Sequence, residues 1–196
     1  MNDLKRIESF VADYLADLRG LLSSLDHKKI AQVAEWIRET ADRGGWVFSC
    51  GNGGSSSISA QMVVDMVKCG SEHRKKRIKM LGLTDSSATV TAVANDIGYE
   101  DVFAEPLRNF ASKGDVLIAI SGSGNSPNIL KAVEYAKSIG CRTVGVTTGL
   151  GGKLRDLADI SLTVPSTHMG RLEDSFFAIT HILCYCFVED ICPEQG

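Results

Sequence analysis

Leu4, Ile7, Val11, Tyr14, Leu18 and Leu21 recur at steps of three and four residues, with charged positions between them. That spacing gathers one apolar stripe on a helix. A second stripe, Ile30, Val33, Ala34, Ile37 and Ala41, follows Asp26, whose carboxylate suits a helix start. The first stripe is heptad-like. It predicts packing either on the sheet of the same chain or on helices of another subunit, and the pattern supports both equally. From Trp46 the period changes. Compact apolar runs near 46–50, 78–83, 116–120, 143–147 and 160–164 predict strands. Helical patterns near 55–69, 86–95, 101–112, 126–139, 152–158 and 171–190 alternate with them. β-Branched runs separated by helix-length segments predict a parallel sheet covered on both faces. Right-handed crossovers then wind it into a doubly wound α/β three-layer sandwich with a five-stranded parallel sheet, flavodoxin-like, preceded by N-terminal helices. The expected organisation is a single domain over 1–196, with 1–44 as helices for packing and oligomerisation and 45–196 as the α/β core.

The strand exits carry the chemistry. They read Gly51–Ser57, Thr84–Ser87, Ser121–Ser126, Thr147–Gly152 and Pro165–Gly170, and every one holds glycines or hydroxyls. Loops between strands and helices favour such residues as caps and turns, which accounts for part of the enrichment. It does not account for Ser55-Ser56-Ser57 after one strand and Ser121, Ser123 and Ser126 after another. Glycine allows backbone to approach a ligand closely, hydroxyls donate, and a helix start offers unpaired N–H groups with partial positive charge. Two such loops predict a phosphate cradle. Neither contains lysine, so neither is a nucleotide P-loop, and Gly51-Asn52-Gly53-Gly54 lacks the dinucleotide-binding glycine spacing.

Composition narrows the partners. A net charge of −3 argues against a general nucleic-acid surface. The one basic run, His73–Arg77, reads first as a solvated loop, then as an oligomer contact or a steering charge. The roughly 45 residues before the first strand offer no basic recognition helix. Six cysteines without CxxC spacing read as reduced packing residues. With no secretory leader and no apolar stretch of about 18 residues, the expected location is cytoplasmic, without a membrane partner.

Several segments together resemble the sugar isomerase (SIS) domain and, within it, the phosphoheptose isomerase branch. They are Gly51–Ser55, Asp85-Ser86-Ser87, Ala94–Glu100, Gly114–Leu117, Ile120–Ser126 and Arg171–Asp174 through His181. The resemblance implies a homotetramer with sites between subunits and a small-molecule sugar phosphate substrate, sedoheptulose 7-phosphate, converted to D-glycero-D-manno-heptose 7-phosphate. By position, Ser55, Ser121, Ser123 and Ser126 would hold the phosphate beside Gly53 and Gly122, the latter standing where many relatives have threonine. Asn52, Asp85 and Asp96 would contact sugar hydroxyls. The family's zinc-binding and catalytic set falls on Gln61, Asp65, Glu173 and His181. The resemblance therefore implies zinc, whereas an amide in place of an imidazole argues against it.

Gln61 and Asp65 are one helical turn apart and share a face. Glu173 and His181 are two turns apart and drift by about 80° around the axis. Asp65, Glu173 and His181 thus form a candidate acid–base group, with Gln61 donating hydrogen bonds. Each has a plainer reading. Gln61 suits the edge of any polar pocket, and Asp65 an ion pair with Lys68. Glu173 and Asp174 suit the first turn of a helix, and His181, beside Ile179, Ile182 and Leu183, suits a core. His168 reads equally as a cleft or a loop histidine, and Arg171 as the partner of Asp174. Two functions follow: an isomerase acting on a heptose phosphate or a related sugar phosphate through an enediol, or a non-catalytic sugar-phosphate-binding adaptor acting through protein partners. Three ionisable residues at the reacting positions favour the enzyme.

Overall fold

The computed structural model describes residues 3–195. Two helices, α1 (Asp3–Ser23) and α2 (His27–Asp42), precede β1 (Trp46–Gly51). The chain continues through α3 (Gly54–Val64), a π-helical turn (Asp65–Cys69), β2 (Lys79–Gly82), α4 (Ser87–Asp96) and a 3-10 turn (Tyr99–Asp101). Then follow α5 (Ala104–Phe110), β3 (Val116–Ser121), α6 (Pro127–Ser138), β4 (Arg142–Thr148), α7 (Lys153–Leu157), β5 (Ile160–Val164) and α8 (Met169–Val188). The five strands are all parallel in the order β2-β1-β3-β4-β5. The chain leaves β1 for one edge of the sheet and returns at β3 on its other side, so the crevice between these two strands is the topological switch point.

Period-2 alternation along the fully buried strands feeds two cores. Val116, Ile118 and Ile120 face α2, α3 and α8, against Ile37, Ile58, Met62, Phe176 and Ile179. Leu117 and Ala119 face the opposite layer, against Phe103, Leu107, Ile129 and Val133. Asp26 caps α2 by accepting from the N–H groups of Lys28 and Lys29, as its position predicted.

The helix boundaries depart from the sequence pattern in instructive ways. The segment read as 55–69 changes to π geometry at Asp65, where the Gly70 N–H reaches back five residues to the Asp65 carbonyl. The segment read as 101–112 divides into the 3-10 turn and a short α5. α8 starts at Met169 rather than 171, capped by the His168 imidazole, so Glu173 lies beyond its first turn. The apolar stripe of α1 is divided as well. Tyr14, Leu18 and Leu21 turn inward and α1 packs on α8, while Leu4, Ile7 and Val11 stay exposed, and no residue of α1 is fully buried. Among the described residues no helix is long and apolar enough to cross a membrane.

One buried carboxylate ties the entries of the two central strands. Asp115 is 3% exposed and accepts from the Trp46 N–H at 2.9 Å and the Ser112 N–H at 2.8 Å. Asp115→Ala strands both donors and is expected to lower unfolding free energy by about 1–3 kcal/mol, read from urea denaturation.

Candidate functional site

Beyond the carboxyl ends of β1 and β3 lies a cavity of about 250 Å³ lined by Asn52, Ser55, Ile120, Ser121, Gly122, Ser123, Ser126, Met169 and Glu173. Six of the residues read from the sequence as ligand-binding meet here. Gly51 has to be glycine: a Cβ would stand 2.4 Å from the Ser55 carbonyl oxygen, so α3 begins directly against the strand end. Gly53 carries the turn at φ +53, and it lines the adjoining cavity with Asn52, Ser56 and Tyr99. In the second loop the Ser121 hydroxyl accepts from the Gly124 N–H at 3.1 Å and lies 3.4 Å from the Ser126 hydroxyl. The β4 exit buttresses this loop, the Leu154 N–H donating to the Gly124 carbonyl at 2.9 Å and the Lys153 N–H to Asn125 Oδ1 at 3.1 Å. Thr147 Oγ1 is buried beneath Gly124 without a hydrogen-bond partner among the described residues. At Gly122, the space that a side chain would fill is taken by the Met169 thioether.

Asn52 is fixed by residues that the sequence reading missed. Its amide pairs reciprocally with that of Asn128, both bonds at 2.9 Å, and the Tyr99 hydroxyl donates to Asn52 Oδ1 at 3.0 Å. A polar Asn128 at the start of the otherwise apolar inner face of α6 was the available signal.

The ionisable set divides into two places. Gln61 Nε2 donates to Asp65 Oδ1 at 2.9 Å, and His181 Nε2 stands 3.4 Å from Asp65 Oδ2. Asp65 is therefore not the partner of Lys68, which pairs with Glu72. The His181 side chain is 47% exposed, so it is no core histidine, and Asp65 is shielded at 17%. Glu173 instead lays its carboxylate over Gly54, at the start of α3 and the edge of the cradle.

Two expected contacts lie elsewhere. Asp85 folds back to accept from the Gly82 N–H at 3.1 Å, and Asp96 is exposed and accepts from Asn95 at the end of α4. Arg171 pairs with Asp17 rather than Asp174 and lies over the Tyr14 ring, whose hydroxyl donates to Asp174. That bond to a carboxylate raises the Tyr14 pKa above its ordinary value. A larger cavity of about 590 Å³ lies away from this chemistry, between the C-terminal segment and residues 69–76. Its Arg74 is not a solvated loop cation, since it pairs with Asp42 and Glu194 and covers the Phe187 ring.

Two of the four positions at Gln61, Asp65, Glu173 and His181 argue against zinc: the amide of Gln61 is a poor substitute for imidazole, and the Glu173 carboxylate is turned to the cradle while Asp65 and His181 face each other. Among the described residues no three His, Cys, Asp or Glu side chains gather as a cation-holding group.

The SIS domain family profile matches residues 13–148. A phosphoheptose isomerase of Helicobacter pylori (strain P12) is 37% identical over 176 residues, 89% of this chain and 91% of its own length. One from Trichlorobacter lovleyi is 34% identical over 183 residues, 91% and 92% of the two chains. The solved phosphoheptose isomerase of Francisella tularensis superposes with a TM-score of 0.86 at 30% identity, covering 96% of this chain and 100% of that one. The Neisseria gonorrhoeae structure gives the same TM-score at 26% identity, again covering 96% and 100%.

Gly152, at φ +91, passes so close to the second loop that a Cβ would stand 2.5 Å from the Ser123 carbonyl oxygen. Gly152→Ala is expected to displace that loop and weaken inorganic phosphate binding at least roughly tenfold by isothermal titration calorimetry, a loss of about 1.4 kcal/mol, with the far-UV circular dichroism unchanged.

Proposed function

The chain belongs to the SIS domain family, and from that premise we infer that it is a phosphoheptose isomerase interconverting sedoheptulose 7-phosphate and D-glycero-D-manno-heptose 7-phosphate. The observation that carries this reading is the placement of two chemistries along the same two helices. α3 and α8 both start at the cradle, through Ser55 and Glu173, and both reach the Asp65–His181 pair farther along. From Glu173 to His181 is eight residues, about 12 Å of helix, comparable with the span of an extended seven-carbon chain and its terminal phosphate.

In this reading the Ser/Gly loops and the helix N-termini hold the phosphate, and Asn52, fixed by Asn128 and Tyr99, meets the sugar hydroxyls. Glu173 accepts from hydroxyls between the phosphate and the reacting end. Isomerisation removes a proton from C1 of the ketose as O2 takes one up, giving the C1–C2 enediol, and returns a proton to C2 as O1 gives one up and the carbonyl passes to C1. Asp65 Oδ2 lies 3.4 Å from His181 Nε2, and with the ring's proton on that nitrogen the more exposed imidazole takes and returns the carbon-bound proton through Nδ1. The carboxylate behind it offsets the charge of the imidazolium.

A homotetramer with sites between subunits completes the proposal. The pair lies on a face with exposed Val64, Val67, Ile182 and Tyr185, and water there has to be excluded for an enediol to survive. Six free thiols favour a reducing, cytoplasmic setting. The non-catalytic adaptor reading gains nothing from the relatives, which are named as isomerases.

Purified protein incubated with sedoheptulose 7-phosphate and followed by NMR is expected to produce the aldose. His181→Ala is expected to lower kcat by about 10²–10⁴-fold, and Ser55→Ala to raise KM with kcat nearly unchanged. Absence of turnover in a protein that still binds the sugar phosphate would overturn the enzyme and leave the adaptor.

A further inference from the structure

Gln61 and Asp65 share one face of α3, one turn apart. The Gln61 amide donates to one carboxylate oxygen at 2.9 Å, while the other oxygen faces the His181 imidazole at 3.4 Å. A lone aspartate on a helix samples several rotamers, and a fixed partner four residues earlier removes that freedom. An amide is also a donor at every pH, so Asp65 keeps this partner whether the neighbouring imidazole is charged or neutral. Asp65 opens the π turn, its carbonyl accepting from the Gly70 N–H, while its own N–H still reaches the carbonyls of Gln61 and Met62, so backbone and side chain are indexed to the same turn.

We propose that Gln61 is the positioning residue of a metal-free proton relay, Gln61–Asp65–His181, in which the amide fixes the aspartate and the aspartate fixes the ring. A cation bound through His181 Nε2 would replace the contact of that nitrogen with Asp65, so the relay and a zinc centre are alternatives at one place. The kinetic part of the proposal rests on the isomerase reading. The geometric part does not.

Chelator-treated wild type is expected to keep its turnover of sedoheptulose 7-phosphate, and zinc titrated calorimetrically is expected to show no stoichiometric binding. Gln61→Met, similar in length but without a donor, is expected to lower kcat by about 10²-fold through misplacement of the pair, with KM little changed because the phosphate is held elsewhere. Gln61→Glu replaces the donor with an acceptor at equal size and is expected to lose as much, which keeps the test open if the methionine variant misfolds. In ¹⁵N-histidine spectra at one pH, assigned with His181→Asn, both Gln61 variants are expected to shift the His181 ring resonances. Stoichiometric zinc required for turnover, wild-type kcat in the variants, or an unmoved His181 ring overturns the relay. A wild type that turns nothing over in either condition overturns the isomerase instead, and the zinc titration and ring spectrum then decide the relay alone.

Discussion

The parallel pairing of β1 with β3 is the constraint on which the site depends. It sets Gly51 opposite Ile120, so that two glycine- and serine-rich loops leave the sheet side by side while their helices diverge to opposite layers. A crevice opens at that point and nowhere else in this strand order. The pairing also explains why bare backbone is needed at the exit. α3 turns back so abruptly that the Ser55 carbonyl occupies the place of a Gly51 side chain, which aims the first turn of α3 at the crevice. Asp115 holds the other end of the same two strands, fixing the register from which the loops depart.

Much of this was legible because it is local. Apolar runs of strand length alternating with helix-length segments gave all five strands to within a residue or two, and the hydroxyl-rich exits gave the lining of the cavity between β1 and β3. Gln61 and Asp65 were placed on one face by spacing alone, and the hydrogen bond between them follows from it. The misses are mostly tertiary. Arg171 was read against its sequence neighbour Asp174, but α1 brings Asp17 and the Tyr14 ring to it from about 155 residues earlier in the chain. Asp85 was read as a sugar contact, yet its carboxylate caps the turn it belongs to, a use that short acidic side chains find readily. The Asn52–Asn128 pair joins two helix starts that only the folded sheet makes adjacent.

Charge and apolar surface are arranged around α8 in a way that composition conceals. Its inner face closes a core with Phe176, Ile179 and Leu183, its start lines the cradle, and its outer side takes α1 through Tyr14 and Arg171. One helix therefore serves the sheet, the cavity at the strand exits and the N-terminal helix. His181 lies on none of the buried ones, which is why an apolar neighbourhood in sequence misrepresents its exposure.

The π turn after Asp65 has a consequence for how this chain tolerates changes in length. Up to Asp65, α3 keeps one phase with the strand exit, and that phase holds Ser55, Gln61 and Asp65 in fixed angular relation. The wider turn then adds a residue and resets the phase, so that Met66 is buried and Gly70 lies against Phe187. A residue gained or lost beyond Cys69 is absorbed in the loop before β2 and leaves the Asp65–His181 pair where it is. The same change between Gly54 and Asp65 rotates the carboxylate by about 100° relative to the cradle. The helix thus behaves as a ruler with one calibrated stretch and one adjustable end.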